Sequence, residues 1–280
     1  MSIPTTGLSE KAEALRRLHQ PGRPLVLVNA WDVASARIIE KAGSKAIATT
    51  SAGIAFSCGY PDGQKISRQR MLEAVAPICA AVSVPVTADM EAGYGDTAEE
   101  MDRTAAGLLG AGAVGLNLED GTGRADSPLL DPAAHAAKIR AVVEGGRRRG
   151  VHLVVNARID VYLDRVGAES GRLEETVRRG LAYRDAGAAC IFVPGVTDPS
   201  VIGSLVERLG CPVNVLAVAG GPAIPELAKL GVARVSLGSG PMRAAMTLAK
   251  RLAEEVLSSG TYTALEGASP HAAFNELMAR

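Results

Sequence analysis

The sequence predicts one parallel α/β barrel. Three observations lead there. Strand-like and helix-like runs alternate with a repeat of about 30 residues, eight such units fill the 280 residues, and no linker-like low-complexity run interrupts them. A doubly wound sheet is the competing architecture. It rarely needs eight such regular units, and no GxGxxG follows the first strand-like run.

The opening MSIPTTGLSEKAEALRRLHQ is an amphipathic helix candidate. It has no apolar h-region and no small-residue cleavage site, so no signal peptide is expected. Strand-like runs follow at 25–30, 46–51, 85–91, 114–120, 153–160, 189–194, 212–217 and 234–238. Most are rich in Val, Ile or Leu and alternate little, as strands buried on both faces do. Helix-like stretches lie between and after them at 33–42, 68–82, 98–110, 132–149, 173–186, 199–209, 223–230 and 241–258. Asp32, Ser67, Asp131 and Asp198 stand where N-caps belong. Gly43, Gly187 and Gly231 close helices ahead of the next strand. The barrel with its N-terminal helix is expected over 1–260, and 261–280 as a tail or helix that packs on a neighbour.

Composition narrows the partners. Thirty basic residues balance thirty acidic ones, which argues against a nucleic-acid or polybasic membrane binder. No run reaches the ~18 apolar residues of a membrane span. Cys58, Cys79, Cys190 and Cys211 are scattered without a CxxC pair, the pattern of a reduced cytoplasmic compartment.

In a barrel, function belongs at the C-terminal ends of the strands. The third strand-like run ends Asp89-Met90-Glu91, two carboxylates on one face. The fourth ends Asn117-Leu118-Glu119. Three carboxylates on adjacent strands either share protons or gather a cation. Without His or Cys nearby the fitting ion is hard, Mg²⁺ or Mn²⁺. In the fifth run Arg158 follows the parity of Asn156 and Asp160. It either clamps a substrate carboxylate or phosphate, or forms a buried salt bridge to Glu119 or Asp160, and both can hold together. Thr50, Ser51, Ala52 and Gly53 form a turn able to hold an anionic oxygen, or ordinary capping. Asp62 lies in a Gly- and Pro-containing segment suited to a mobile lid. Trp31 lines the pocket or packs in the core or an interface. Of His19, His135, His152 and His271, none falls at a strand C-terminal end, which disfavours a His-ligated metal or a Ser-His-Asp triad. The acids fall at or beyond strand C-terminal ends, whereas Arg23, Lys45, the Arg147–Arg149 run and Arg234 fall near strand starts.

Asn29-Ala30-Trp31-Asp32, residues 51–62, the run from Ala88 to Gly95, Asn117-Leu118-Glu119-Asp120 and Asn156-Ala157-Arg158-Ile159-Asp160 are similar, in that order, to the isocitrate lyase/phosphoenolpyruvate mutase superfamily. The resemblance covers nearly the full length. It implies an α/β barrel, usually a tetramer (a dimer of dimers) that exchanges the last helix between paired subunits. It implies Mg²⁺ on Asp89, with Glu91 and Glu119 acting largely through water. Arg158 then binds a substrate carboxylate, the 50–53 turn holds the 2-oxo end, and Asp62 rides on the covering segment. Trp31 and Asn214 complete the expected substrate contacts, and Asp62, Arg158 and Glu119 the expected catalytic set. Members make or break bonds beside the α-keto or enolate carbon of small acids.

The departures bear on which reaction. The lyase branch carries a Lys-Lys-Cys-Gly-His type loop after the fourth strand, and the mutase branch a Lys-x-Asn. Here that loop reads Gly121-Thr122-Gly123-Arg124-Ala125-Asp126-Ser127-Pro128, without Cys or Lys. Glu91 stands where many members have Asp, and Gly195 where lyases often carry Glu. The expectation is a Mg²⁺-dependent carbon–carbon lyase or decarboxylase of a small 2-oxo or 2-hydroxy (di)carboxylate. The alternatives are a phosphoenolpyruvate mutase or phosphonopyruvate hydrolase-like enzyme, or a non-catalytic oligomer that binds metal and small acids.

Overall fold

The computed structural model describes residues 5–279. Helix α1 (Thr5–Arg17) comes first, then strands β1 (Leu25–Leu27) and β2 (Asn29–Ala30). The rest alternates: α2 (Val33–Lys41), β3 (Ile47–Thr49), α3 (Ser51–Ser57), α4 (Arg68–Ala81), β4 (Val86–Asp89), α5 (Ala98–Gly110), β5 (Gly115–Glu119) and α6 (Pro132–Arg148). Then come β6 (Val154–Arg158), α7 (Glu169–Asp185), β7 (Cys190–Val193), α8 (Pro199–Leu209), β8 (Val213–Leu216), α9 (Ile224–Lys229), β9 (Arg234–Ser236) and α10 (Gly240–Ser259). A 3₁₀ turn (Thr263–Leu265) and α11 (His271–Met278) end the described chain.

Among the described residues the nine strands are all parallel, in the order β1-β9-β8-β7-β6-β5-β4-β3-β2. The expected first strand, 25–30, is divided. Leu25–Leu27 pairs with β9 and Asn29–Ala30 pairs with β3, so the run switches neighbours at Val28 and joins the two ends of the sheet. This is a parallel α/β barrel.

The expected caps form. Asp32, Ser67, Asp131 and Asp198 each accept a backbone N–H from the first turn of α2, α4, α6 and α8. One helix departs from the expectation: 51–57 is a helical turn, not a loop, with Thr50 as its cap. Helix α1 closes the barrel floor through buried Leu8, Ala12 and Leu15. Gly115 makes room for it, because a Cβ there would lie 2.8 Å from Leu15 Cδ2 and 3.0 Å from Thr87 Oγ1.

Register fixes which side chains share the lumen. Asp89 pairs with Asn117, Asn117 with Asn156, Glu119 with Arg158, Arg158 with Phe192, Phe192 with Asn214, and Asn214 with Arg234. Paired residues face the same way. Arg234 Nη2 on β9 donates to Asn117 Oδ1 on β5 at 3.3 Å, a bond between strands far apart in the sheet that only the lumen can carry. The whole set therefore lines the inside. The apolar core lies on the other face, between strands and helices, in residues such as Leu116, Leu118, Val155, Ile191 and Val215.

Candidate active site

Three short segments bring the mouth together. Asp89 ends β4, and its backbone N–H donates to Thr49 Oγ1 at 2.9 Å. Its Oδ2 accepts from the Ser51 N–H at 3.1 Å and the Ser51 hydroxyl at 2.8 Å. Ser51 is the first residue of α3, so the carboxylate lies at a helix start, where the backbone partial charge is positive. Asp89 Oδ1 is buried and has no hydrogen-bond partner.

Thr50 plays the capping role, accepting the Gly53 N–H at 3.4 Å. Ala52 and Gly53 are buried in the same turn, and a Cβ on Gly53 would fall 2.6 Å from Thr50 Cγ2 and 3.0 Å from Trp31 Cβ. Trp31 thus packs on the 50–53 turn. The turn's Ser51 reaches Asp89 directly, a contact that strand parity does not reveal.

Glu91 follows β4 with φ +50, in the left-handed region where a non-glycine residue is strained. Gln64 (φ +56) and Tyr94 (φ +60) share that conformation and are its partners. Glu91 Oε1 accepts from the N–H groups of Gly63 at 3.1 Å and Gln64 at 2.5 Å. Tyr94 donates its hydroxyl to Glu91 Oε2, and the Tyr94 N–H donates to Gln64 Oε1 at 2.8 Å. Burial pushes the Glu91 carboxyl up, against the pull of the Tyr94 and Gln64 donors, and the Asp89 and Asp62 carboxylates push the same way as burial. The segment carrying Asp62 is thereby tied to Glu91. Asp62 itself is exposed; partial burial raises its carboxyl, the Gly63 N–H lowers it, Asp89 raises it and Arg158 lowers it.

Arg158 is held by two acids. Its Nη1 lies 2.5 Å from Glu119 Oε2 and its Nε 2.6 Å from Asp160 Oδ1. The salt-bridge alternative is thus realised, and neither bond uses Nη2. Burial works against the Arg158 charge, but Glu119, Asp160 and Asp89 raise its pKa further. Burial drives Glu119 well above the ordinary carboxylate range, with Arg158 opposing.

Behind this pair lies a network whose function sequence reasoning did not show. Asp120 Oδ1 accepts the Asp160 N–H at 3.0 Å. Asp120 Oδ2 accepts from Tyr183 at 2.7 Å and Arg179 at 2.9 Å. Arg179 Nη1 also donates to the Leu130 carbonyl at 2.8 Å, and the Leu130 N–H donates to the Asp120 carbonyl at 2.8 Å. The 121–130 loop is therefore anchored to α7. Tyr94, three residues beyond Glu91, was visible in the sequence; Gln64, Arg179 and Tyr183 carry no local signal.

Asn214 lies buried in the lumen, in register with Phe192 and Arg234, and its Nδ2 donates to Ser236 Oγ at 3.2 Å. Arg234 opens β9, at a strand start as expected, and points into the lumen, where it is 1% exposed.

Among the described residues, no three His, Cys, Asp or Glu side chains converge as a ready-made ligand set. A hard cation still fits one way. Asp89 Oδ1 is a buried carboxylate oxygen without a hydrogen-bond partner or an ion pair, Glu91 is engaged by the Tyr94, Gly63 and Gln64 donors, and Glu119 Oε2, likewise without a hydrogen bond, is ion-paired to Arg158. That arrangement suits one direct carboxylate ligand, with the other acids reaching the ion through water, as Mg²⁺ tolerates.

Fold and mouth together define an α/β barrel with an acid-and-arginine set at the C-terminal face, where barrels carry their chemistry. Residues 15–257 match the family model described as phosphoenolpyruvate phosphomutase. The chain belongs to that family, within the isocitrate lyase/phosphoenolpyruvate mutase superfamily. An uncharacterised Mycobacterium tuberculosis protein is 41% identical over 239 residues, covering 85% of this chain and 87% of that one. An oxaloacetate decarboxylase of Pseudomonas aeruginosa is 30% identical over 209 residues, covering 66% and 68%. The crystal structure of a candidate lyase/mutase from Burkholderia cenocepacia J2315 aligns with a TM-score of 0.90 at 40% identity, covering 98% of both chains. That of a phosphonopyruvate hydrolase in complex with oxalate and Mg²⁺ aligns at 0.82 and 26% identity, covering 95% and 94%.

Proposed function

We propose that this chain is a Mg²⁺-dependent carbon–carbon lyase or decarboxylase of a small 2-oxo or 2-hydroxy (di)carboxylate. The observation that carries the reading is Asp89: Ser51 fixes one oxygen and the other is buried without a partner, beside the Arg158 site. The relatives with oxaloacetate decarboxylase activity and with bound Mg²⁺ and oxalate support it. Mn²⁺ would satisfy the same oxygen donors.

When bound, the cation supplies Lewis-acid polarisation of the substrate carboxylate and the adjacent oxygen. Asp89 would hold it, with Glu91 and Glu119 placed to reach it through water. Arg158, kept charged by Glu119 and Asp160, offers Nη2 to the substrate carboxylate. The 50–53 turn and Trp31 form the wall beside the 2-oxo end. In decarboxylation the bond to the leaving carboxylate breaks, CO₂ departs, the electron pair left behind forms the enolate, and the enolate carbon then takes a proton. Asp62 carries that proton in our reading, because its carboxyl is raised and its segment is latched over the mouth through Glu91. The 121–130 loop offers no Cys or Lys acid, and Arg124 there is exposed, which leaves little to hold a migrating phosphoryl group.

We extend the proposal to assembly. Helix α10 buries Met242 alone and exposes Met246, Leu248, Val256 and Leu257. A groove of about 660 Å³ beside Pro24, Leu25, Val26, Val28 and Ile38 lies open on the outer barrel wall. Exchange of α10 and 261–280 between paired subunits would cover both surfaces. The unpaired cysteines fit a reduced, cytoplasmic setting, and no described helix is long and apolar enough to cross a membrane.

The test is turnover with Mg²⁺ on oxaloacetate, 2-methylisocitrate, dimethylmalate, phosphonopyruvate and phosphoenolpyruvate. Pyruvate from a dicarboxylate, abolished by EDTA and by Asp89→Ala, supports the reading. Phosphate or a new phosphonate favours phosphorus chemistry. Tight Mg²⁺–oxalate binding with no turnover favours a binder.

A further inference from the structure

Arg234 is a charge in an unusual place. It opens β9, is 1% exposed, and sends its guanidinium across the lumen to Asn117. That is its one hydrogen bond to a side chain among the described residues, and the acceptor is a neutral amide already taken by Asn156 Nδ2 at 2.8 Å. Its Nε and Nη1 are buried and have no hydrogen-bond partner, and it forms no ion pair among the described residues. Burying an arginine this way is costly, and an apolar residue of similar volume is often the more stable choice. Packing alone therefore gives no reason for a cation here.

The surroundings give one. Asn117, which the guanidinium meets, stands in register beside Asp89. Asp89 has no cationic hydrogen-bond partner of its own, since Ser51 supplies both donors to Oδ2 and Oδ1 has none. The other mouth cation, Arg158, is already matched by Glu119 and Asp160. The titratable groups facing Arg234 are Asp89, which favours its charge, Cys190, whose thiol burial pushes up to about 12 and so keeps neutral, and His19 beneath, which its charge disfavours as a cation. Burial lowers the guanidinium to about 10, so it stays charged at neutral pH.

We infer that Arg234 is a positioning residue, the lumen counter-charge to Asp89, which restrains cation binding there and draws the anionic substrate in. The inference rests on Asp89 being the cation's ligand. A fixed positive charge under the site opposes a divalent ion and attracts a dianion, and in the water-poor lumen it is little screened.

Isothermal titration of the full chain tests it, first with Mg²⁺ alone and then with oxalate at saturating Mg²⁺. Arg234→Met should tighten Mg²⁺ about tenfold and weaken oxalate about tenfold, and Arg234→Lys should leave both within about twofold. Opposite shifts for the two ligands are what a purely structural role would not produce. If Arg234→Met does not fold, Arg234→Gln serves, with the same expected signs. Unchanged affinities, or both ligands weakening together, would overturn the inference. Failure of the underlying reading looks different: wild type without Mg²⁺ binding, or Asp89→Asn binding as wild type does, removes the cation site and the inference with it.

Discussion

Replacing Ser51 with Ala removes one atom from the mouth and leaves the fold intact. The lost group is a hydroxyl that donates to Asp89 Oδ2 at 2.8 Å, while the Ser51 N–H at 3.1 Å remains. A hydrogen bond to a charged group contributes about 1.5–3 kcal/mol. Because half the clamp survives, the lower end applies, about 1.5 kcal/mol, or roughly tenfold in an equilibrium constant. Cation affinity should therefore weaken by about tenfold and kcat/KM by at least as much. The same loss should lower the melting temperature by no more than about 3–5 °C, since α3 keeps its Thr50 cap. Titration calorimetry with Mg²⁺, steady-state kinetics and a thermal melt read the three quantities. A Ser51→Ala protein with wild-type cation affinity and turnover would refute the claim that this hydroxyl orients Asp89.

Gly53→Ala places a Cβ 2.6 Å from Thr50 Cγ2 and 3.0 Å from Trp31 Cβ, so it should cost about 1–3 kcal/mol in a denaturant melt; a neutral result means the turn can shift. Tyr183→Phe keeps the ring against His135 but deletes the donor to Asp120 at 2.7 Å. The Leu130 amide should then exchange faster by hydrogen–deuterium exchange, and an unchanged rate would detach the loop from this network. His19 and His135 are held neutral by burial, at about 4 and about 3 against an ordinary 6.5. Each contributes stability above pH 6.5 that is lost as pH falls toward its lowered value, because the unfolded chain takes up the proton first. A His19→Asn/His135→Phe double variant should show a flatter melting temperature between pH 6.5 and 4 than wild type, and an equal slope contradicts the assignment.

The strand and helix order was legible because buried parallel strands write themselves as apolar runs and the helices carry their own caps, as at Asp131 and Asp198. The break at Val28 was not, since nothing in Leu25–Ala30 marks where the run changes neighbours. Residues 51–57 hide a helix because Ser and Gly weaken the helical signal and only the Thr50 cap betrays it. Strand parity placed Asp89, Glu119 and Arg158 together, and the register agrees. Parity does not give depth or direction, which is why the burial of Asn214 and Arg234 inside the lumen was not legible. The latch of Gln64 and Tyr94 on Glu91 depends on three positive-φ residues brought together only by the fold.

The central claim is that Asp89 receives a divalent cation and Arg158 the acid beside it. A crystal grown with Mg²⁺ and oxalate tests it most directly. The account predicts a cation bonded to Asp89, with Glu91 and Glu119 on its water ligands and oxalate against Arg158. Ordered oxalate with no cation at Asp89, or a cation bound elsewhere while Asp89 keeps only its Ser51 donors, would contradict it.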